Sequence, residues 1–154
     1  MTRPASNQRG AVLIEFALSF MIFWTVLIGV IEFSRYMFSW ATASEATRIA
    51  ARLASICDKG PVQEGRIRSR VERLIRASGQ IELGARTDWL VLTYYPAGCN
   101  NESCTFVEAK LQGLQPQLSI PGVSSVAPIP EFRVNAPREA MRNVIKEETN
   151  ASCN

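Results

Sequence analysis

The chain has 154 residues, a length that suits one domain of ordinary size. Its 17 Lys and Arg against 14 Asp and Glu give a net charge of +3, too small to indicate a nucleic-acid partner, and a hydrophobic content of 47% excludes wholesale disorder. The absence of histidine excludes a Ser-His-Asp triad, a Cys-His pair and imidazole-bound zinc, so we expect no enzyme, no cofactor and no metal.

The first element is an apolar run from Ala11 to Ile31, in which Glu15 is the only charge. As a helix rising about 1.5 Å per residue, this run spans roughly 30 Å of hydrocarbon. The preceding flank contains Arg3 and Arg9 but no acid, so the positive-inside rule places the N-terminus in the cytoplasm and the rest of the chain outside it. The sequence therefore predicts a single-pass transmembrane helix in contact with membrane lipid.

A cleaved secretory signal is the alternative, because residues 41–43 match the small-residue pattern of a cleavage site. The apolar run is longer than the core of such signals, and Glu32 and Arg35 separate it from that site. These features favour the transmembrane helix.

Glu15 lies one turn inside the predicted membrane helix, where a carboxylate costs about 2.5 to 3.5 kcal/mol on insertion scales. It needs a compensating partner. Gly10 precedes it in the sequence GAVLIEF. If the chain were cut after Gly10, the new α-ammonium of Ala11 would lie four residues before Glu15, on the same helical face.

Gly10 followed by AVLIEF resembles the processing motif of type IV pilins and pseudopilins of the tight-adherence (Flp) class, in which a prepilin peptidase cuts after the glycine. The resemblance implies that Gly10 is the cleavage glycine, that Ala11 becomes the first mature residue, and that Glu15 is the acid at the fifth mature position with Phe16 as the aromatic beside it. A generic signal anchor with an accidental Gly-x4-Glu-Phe is the alternative.

The whole segment from Arg9 to Arg52 is similar to TadE-like proteins. Their pattern runs EFAL, a long apolar helix, a second acid-aromatic pair with a basic residue, and an Ala-Arg-rich segment. Glu32, Phe33 and Arg35 match the second cluster. TadE-like proteins often have a proline soon after EFAL, and this sequence has none. We therefore do not expect a helix kink at that point, and the predicted cleavage site is unaffected.

Two helices are predicted around the sequence DKGP at residues 58–61. The first continues beyond the membrane to Ile56, with an alanine stripe that favours close packing. The second runs from Val62 to Ser78 and ends at Gly79. It has five arginines on its polar side, which we interpret as a solvated face rather than an anion-binding one, because Glu72 can pair within the helix.

Two strands, Trp89–Tyr95 and Phe106–Gln112, are predicted to form an antiparallel hairpin. An extended segment follows from Pro116 to Pro137, with Phe132–Val134 as an edge strand. A short helix is predicted over Ala136–Glu148. The fold class is α+β.

Four cysteines permit three disulfide pairings in an oxidising compartment. We favour Cys99 with Cys104, because only four residues separate them in the hairpin loop, and this leaves Cys57 for Cys153. The competing use, a metal site, is disfavoured because the spacing lacks two short-spaced cysteine pairs.

The predicted organisation is a leader (1–10), a transmembrane helix with its extension (11–58) and a periplasmic α+β head (59–154). The resemblance implies a minor pseudopilin of the bacterial inner membrane that acts in assembly of a tight-adherence type IV pilus, a cell-adhesion system. Its implied partners are the prepilin peptidase, the major pilin, other minor pseudopilins and the inner-membrane assembly machinery. The sequence leaves open whether the protein enters the pilus fibre and whether it is the TadE-like or the TadF-like component. The alternative function is an uncleaved, single-pass, membrane-anchored periplasmic binding protein.

Overall fold

The computed structural model describes residues 8–83, 87–117, 128–139, 141–142, 144–145 and 148–153. The chain forms two compact units, an N-terminal unit (residues 1–35) and a C-terminal unit (residues 36–154). Helix α1 (Gln8–Ile56) contributes to both. Residues 1–7 of the predicted leader lie outside the described residues.

The end of α1 at Ile56 is confirmed, and the second helix begins one residue before the predicted Val62 and ends at the predicted Ser78. Helix α1 ends at Ile56, and helix α2 (Pro61–Ser78) follows with Pro61 in its first turn, where a missing N–H costs no hydrogen bond. Gly79 ends α2 in the left-handed conformation, with φ of 62°, and its N–H donates to the Arg76 carbonyl. Glycine adopts this conformation without the steric cost that a Cβ brings.

A three-stranded antiparallel sheet carries the β part of the C-terminal unit. Its strands are β2 (Leu90–Tyr95), β3 (Phe106–Leu111) and β5 (Phe132–Pro137), in the order β2-β3-β5. The predicted hairpin is confirmed, with Leu90 opposite Leu111, and β5 confirms the predicted edge strand. Two minor pairs complete the set: β1 (Ile81–Glu82) with β4 (Gln115–Pro116), and β6 (Val144–Ile145) with β7 (Glu148–Thr149).

Both helices and the sheet share one core in the C-terminal unit, so the α+β fold class is confirmed. The alanine stripe of α1 is used for packing, as predicted, although Ala41 is exposed. The buried members are Ala43, Ala46, Ala50, Ala51 and Ala54 from α1, Ile67, Val71 and Ile75 from α2, and Val107, Ala109 and Leu111 from β3.

The helix predicted over Ala136–Glu148 is wrong. Strand β5 runs to Pro137, and β6 and β7 form a short antiparallel pair further along. The backbone N–H groups of Glu139 and Arg142 donate to the carbonyls of Ser55 and Ile56, the last residues of α1. These N–H groups therefore satisfy carbonyls that the end of α1 leaves unpaired. The same N–H groups are then not available for hydrogen bonds within a helix over residues 136–148. Residues 118–127 of the predicted extended segment lie outside the described residues.

Candidate functional site

The N-terminal unit presents apolar side chains to its surroundings over more than five helical turns. Large apolar residues from Val12 to Ile31 are exposed, including Phe16, Phe20 and Trp24. This helix is the one segment of the described residues that is long and apolar enough to cross a membrane. Because a helix that is apolar all round needs an apolar environment, it fits a single-pass membrane anchor.

Two hydroxyl groups of this helix, those of Thr25 and Ser34, are satisfied by the helix itself. Thr25 Oγ1 donates to the Met21 carbonyl at 2.8 Å, and Ser34 Oγ donates to the Val30 carbonyl at 2.8 Å. An unpaired hydroxyl is costly in hydrocarbon, and back-bonding to the carbonyl four residues earlier removes that cost. These polar residues are therefore compatible with lipid on all sides.

Gly10, Ala11, Glu15 and Phe16 all lie in helix α1. Glu15 is exposed and forms no hydrogen bond or ion pair with the described residues. Phe16 stacks on Phe20, with ring centroids 5.9 Å apart. A Cβ added at Gly10 would meet no atom within 4 Å, so the fold of the uncut chain does not require a glycine there.

The second acid-aromatic cluster forms an ion pair along the helix. The Arg35 guanidinium lies 3.4 Å from the Glu32 carboxylate, at the three-residue spacing that brings side chains together on one face. Phe33, between them in sequence, is exposed. The two charges of this cluster thus neutralise each other, whereas Glu15 has no such partner among the described residues.

Both disulfides pair the cysteines as the sequence favours. Cys57 is bonded to Cys153, 96 residues away, and Cys99 to Cys104. All four thiols are therefore used in covalent bonds and none is available to a metal. Because extracytoplasmic compartments are oxidising, the bridges agree with a C-terminal unit outside the cytoplasm.

The loop closed by Cys99 and Cys104 is fastened to the segment between the helices. The backbone N–H of Lys59 donates to Asn101 Oδ1 at 2.7 Å, and Asn101 Nδ2 donates to Asp58 Oδ1 at 3.0 Å. Lys59 Nζ donates to the Cys99 carbonyl at 2.7 Å. These contacts are not predictable from the sequence, because nothing in residues 58–61 or in the loop indicates that they meet.

Lys59 also lies over the ring of Tyr94, with Nζ 5.3 Å from the ring centroid. Burial, together with the negative charge of Glu64, raises the pKa of Tyr94 to about 12.

At the edge of the sheet, hydrogen bonds from Lys110 and then Arg133 hold the pKa of the exposed Glu131 below its ordinary value.

Part of the arginine face of α2 holds the C-terminal segment. Arg66 Nη1 donates to the Cys153 carbonyl at 3.1 Å, and Arg70 Nη1 donates to the Ser152 carbonyl at 3.3 Å. These carbonyls belong to a 3-10 turn (Ala151–Cys153). The interpretation of this face as merely solvated is therefore incomplete, because sequence spacing gives no sign that the two arginines meet the chain's last residues.

No curated protein and no solved structure matches this chain. A match to a family model lies at the N-terminal end, where the apolar helix and the Gly10–Glu15 spacing are found. Residues 10–52 match the family model of TadE-like proteins, and this similarity associates the chain with tight-adherence pilus systems.

Proposed function

We propose that this protein is a minor pseudopilin that acts in assembly of a tight-adherence type IV pilus after a prepilin peptidase cuts it behind Gly10. The observation that carries the proposal is where the TadE-like match begins. It starts at residue 10, the proposed cleavage glycine, and it includes Glu15. The exposed apolar surface of the same helix supplies the area that a bundle of pilin helices needs.

Glu15 gives the cleavage a physical purpose. Four residues of helix advance about 6 Å, slightly more than one turn, so a carboxylate at Glu15 and an ammonium at Ala11 lie on one face. The uncut chain offers Glu15 no partner among the described residues. Cleavage supplies one, on the same chain or on a neighbouring subunit. Because an unpaired charge in an apolar bundle is expensive, the pair would favour a single axial register between helices.

The proposed location is the bacterial inner membrane, with a cytoplasmic N-terminus and a periplasmic C-terminal unit. Arg3 and Arg9 before the apolar run support this orientation. The two disulfides support it independently, because a periplasmic C-terminal unit folds in an oxidising compartment. The partners are then the peptidase and assembly machinery in the membrane, the surrounding lipid, and the major pilin with other minor pseudopilins.

A signal-peptidase cut after Ala43 is disfavoured by the packing of α1. Ala43 is fully buried in the core of the C-terminal unit, and Trp40 contacts Phe132 edge to face at 6.2 Å. Such a cut would remove both contacts. A cut after Gly10 removes nothing from that core.

Gly10→Val tests the proposal, with Gly29→Val as the matched control. A Cβ at either position meets no atom within 4 Å, so both positions have room for a side chain. In cells that contain the peptidase, we expect Gly10→Val to retain the leader and to lose pilus assembly, whereas Gly29→Val is processed normally. Processing of Gly10→Val at the wild-type rate would contradict the cleavage. An unprocessed wild-type protein would instead favour the membrane-anchored binding protein.

A further inference from the structure

A cleft of about 570 Å³ lies between α2 and the C-terminal turn. We call it the α2 cleft. Its α2 side includes Gln63, Ile67, Arg70 and Arg73, and its opposite side is the turn Ala151–Cys153. The Cys57–Cys153 bridge and the hydrogen bonds from Arg66 and Arg70 hold that turn in position. The cleft is therefore a built feature of the C-terminal unit.

Two arginines of the α2 cleft, Arg70 and Arg73, have no acidic partner among the described residues. Arg66, Arg70 and Arg73 repeat at four- and three-residue intervals, so they form a row about 10 Å long on one side of the helix. No acidic side chain lines the cleft in the described residues. Arg70 and Arg73 form no ion pair there, although Glu72 pairs with Arg76 at 2.7 Å on the same helix. Arg70 and Arg73 therefore bring two guanidinium groups to the cleft without a carboxylate partner among the described residues.

Gln63 adds an unmet acceptor to the same cleft. Its side chain is 7% exposed, and its buried Oε1 accepts no hydrogen bond from the described residues. A buried polar atom without a partner destabilises the fold, so a ligand that brings an N–H group to the amide gains affinity there. An N–H donor is something that inorganic phosphate lacks.

We propose that the α2 cleft binds an acidic, extended segment of a partner protein. Carboxylates of such a segment match the fork of donors on Arg70 and Arg73, its backbone N–H groups match Gln63, and an apolar side chain matches the floor at Leu53 and Ile67. The proposal does not depend on leader cleavage, because every residue it uses lies in the C-terminal unit.

The experiment measures peptide binding to the full chain in phosphatidylcholine nanodiscs. The probe is a short acetylated peptide of alternating Glu and Leu, and the matched probe has Gln in place of each Glu. Arg70→Gln/Arg73→Gln is compared with Arg76→Gln, which removes one charge from the same helix outside the cleft. Gln63→Leu tests the amide separately.

We expect the Glu peptide to bind the wild-type chain and Arg76→Gln equally, and the Gln peptide to bind both much more weakly. Arg70→Gln/Arg73→Gln should weaken the Glu peptide about tenfold, and Gln63→Leu about threefold. If the double variant fails to fold, Arg73→Gln alone gives the readout, since Arg73 forms no hydrogen bond or ion pair with the described residues. Equal affinity for wild type and the cleft variants overturns the proposal. So does arginine-dependent binding to phosphatidylglycerol vesicles or inorganic phosphate without binding to the peptide.

Discussion

Removing the Cys57–Cys153 bridge should lower the free energy of unfolding more than removing Cys99–Cys104. The first bridge closes a loop with a sequence separation of 96 residues, the second a loop with a separation of 5. Loop-closure entropy in the unfolded chain gives about 4.7 kcal/mol for the long loop and about 2 kcal/mol for the short one. The expected difference is therefore about 2.5 kcal/mol.

The assay is urea unfolding of the full chain in detergent, followed by tryptophan fluorescence, which changes on unfolding because Trp89 is buried in the C-terminal unit. Cys57→Ala/Cys153→Ala and Cys99→Ala/Cys104→Ala each remove two buried sulfur atoms, so the difference between them isolates loop length. Equal losses, or a larger loss from the short loop, would refute the entropic reasoning. Such a result would indicate that local contacts of the Cys99–Cys104 loop contribute more to the free energy of unfolding than the Cys57–Cys153 bridge does.

Ala50→Leu should destabilise the C-terminal unit by about 1 to 3 kcal/mol, because Ala50 is fully buried. Ala41→Leu, at an exposed position, should have little effect, and urea unfolding measures the free energy of unfolding of both variants. Tyr94 is neutral in the folded chain up to about pH 12 but ionises near 10.0 when unfolded, so stability should fall as pH rises through that interval, by at most about 3 kcal/mol. Tyr94→Phe should remove this part of the pH slope, and a slope unchanged in that variant would exclude Tyr94 as its cause. Glu15→Ala should be processed normally yet reduce pilus incorporation about tenfold, the effect of a lost contact worth about 1.4 kcal/mol; incorporation equal to that of Ser19→Ala would remove the pairing role.

Local signals were sufficient to predict most of the elements. Pro61 lies in the first turn of α2, where a proline is tolerated, and Gly79 ends α2 in the left-handed conformation, so both residues mark helix boundaries. The alternation over Phe106–Leu111 predicts a strand with one buried face, and its apolar residues are those in the core. These features depend on a few neighbouring residues, so they can be read without knowing the tertiary fold.

Tertiary contacts account for what the sequence did not predict. Residues after Pro137 contain no local helix breaker, yet Met141 is fully buried and has a positive φ of 42°, which a helix does not allow. Backbone bonds from this segment to Ser55 and Ile56 depend on where α1 ends in space. The α2 cleft was missed for the same reason, because its far side comes from residues 151–153, more than seventy positions away from the α2 arginines.

The mass of the mature protein tests the central claim most directly. Protein purified from cells that contain a prepilin peptidase should begin at Ala11, and protein from cells without the peptidase should retain residues 1–10. Intact-mass spectrometry separates the two forms, and N-terminal sequencing identifies the first residue. A chain that still carries its leader in peptidase-containing, pilus-forming cells would contradict the account, because Glu15 would then have no ammonium at Ala11 to pair with.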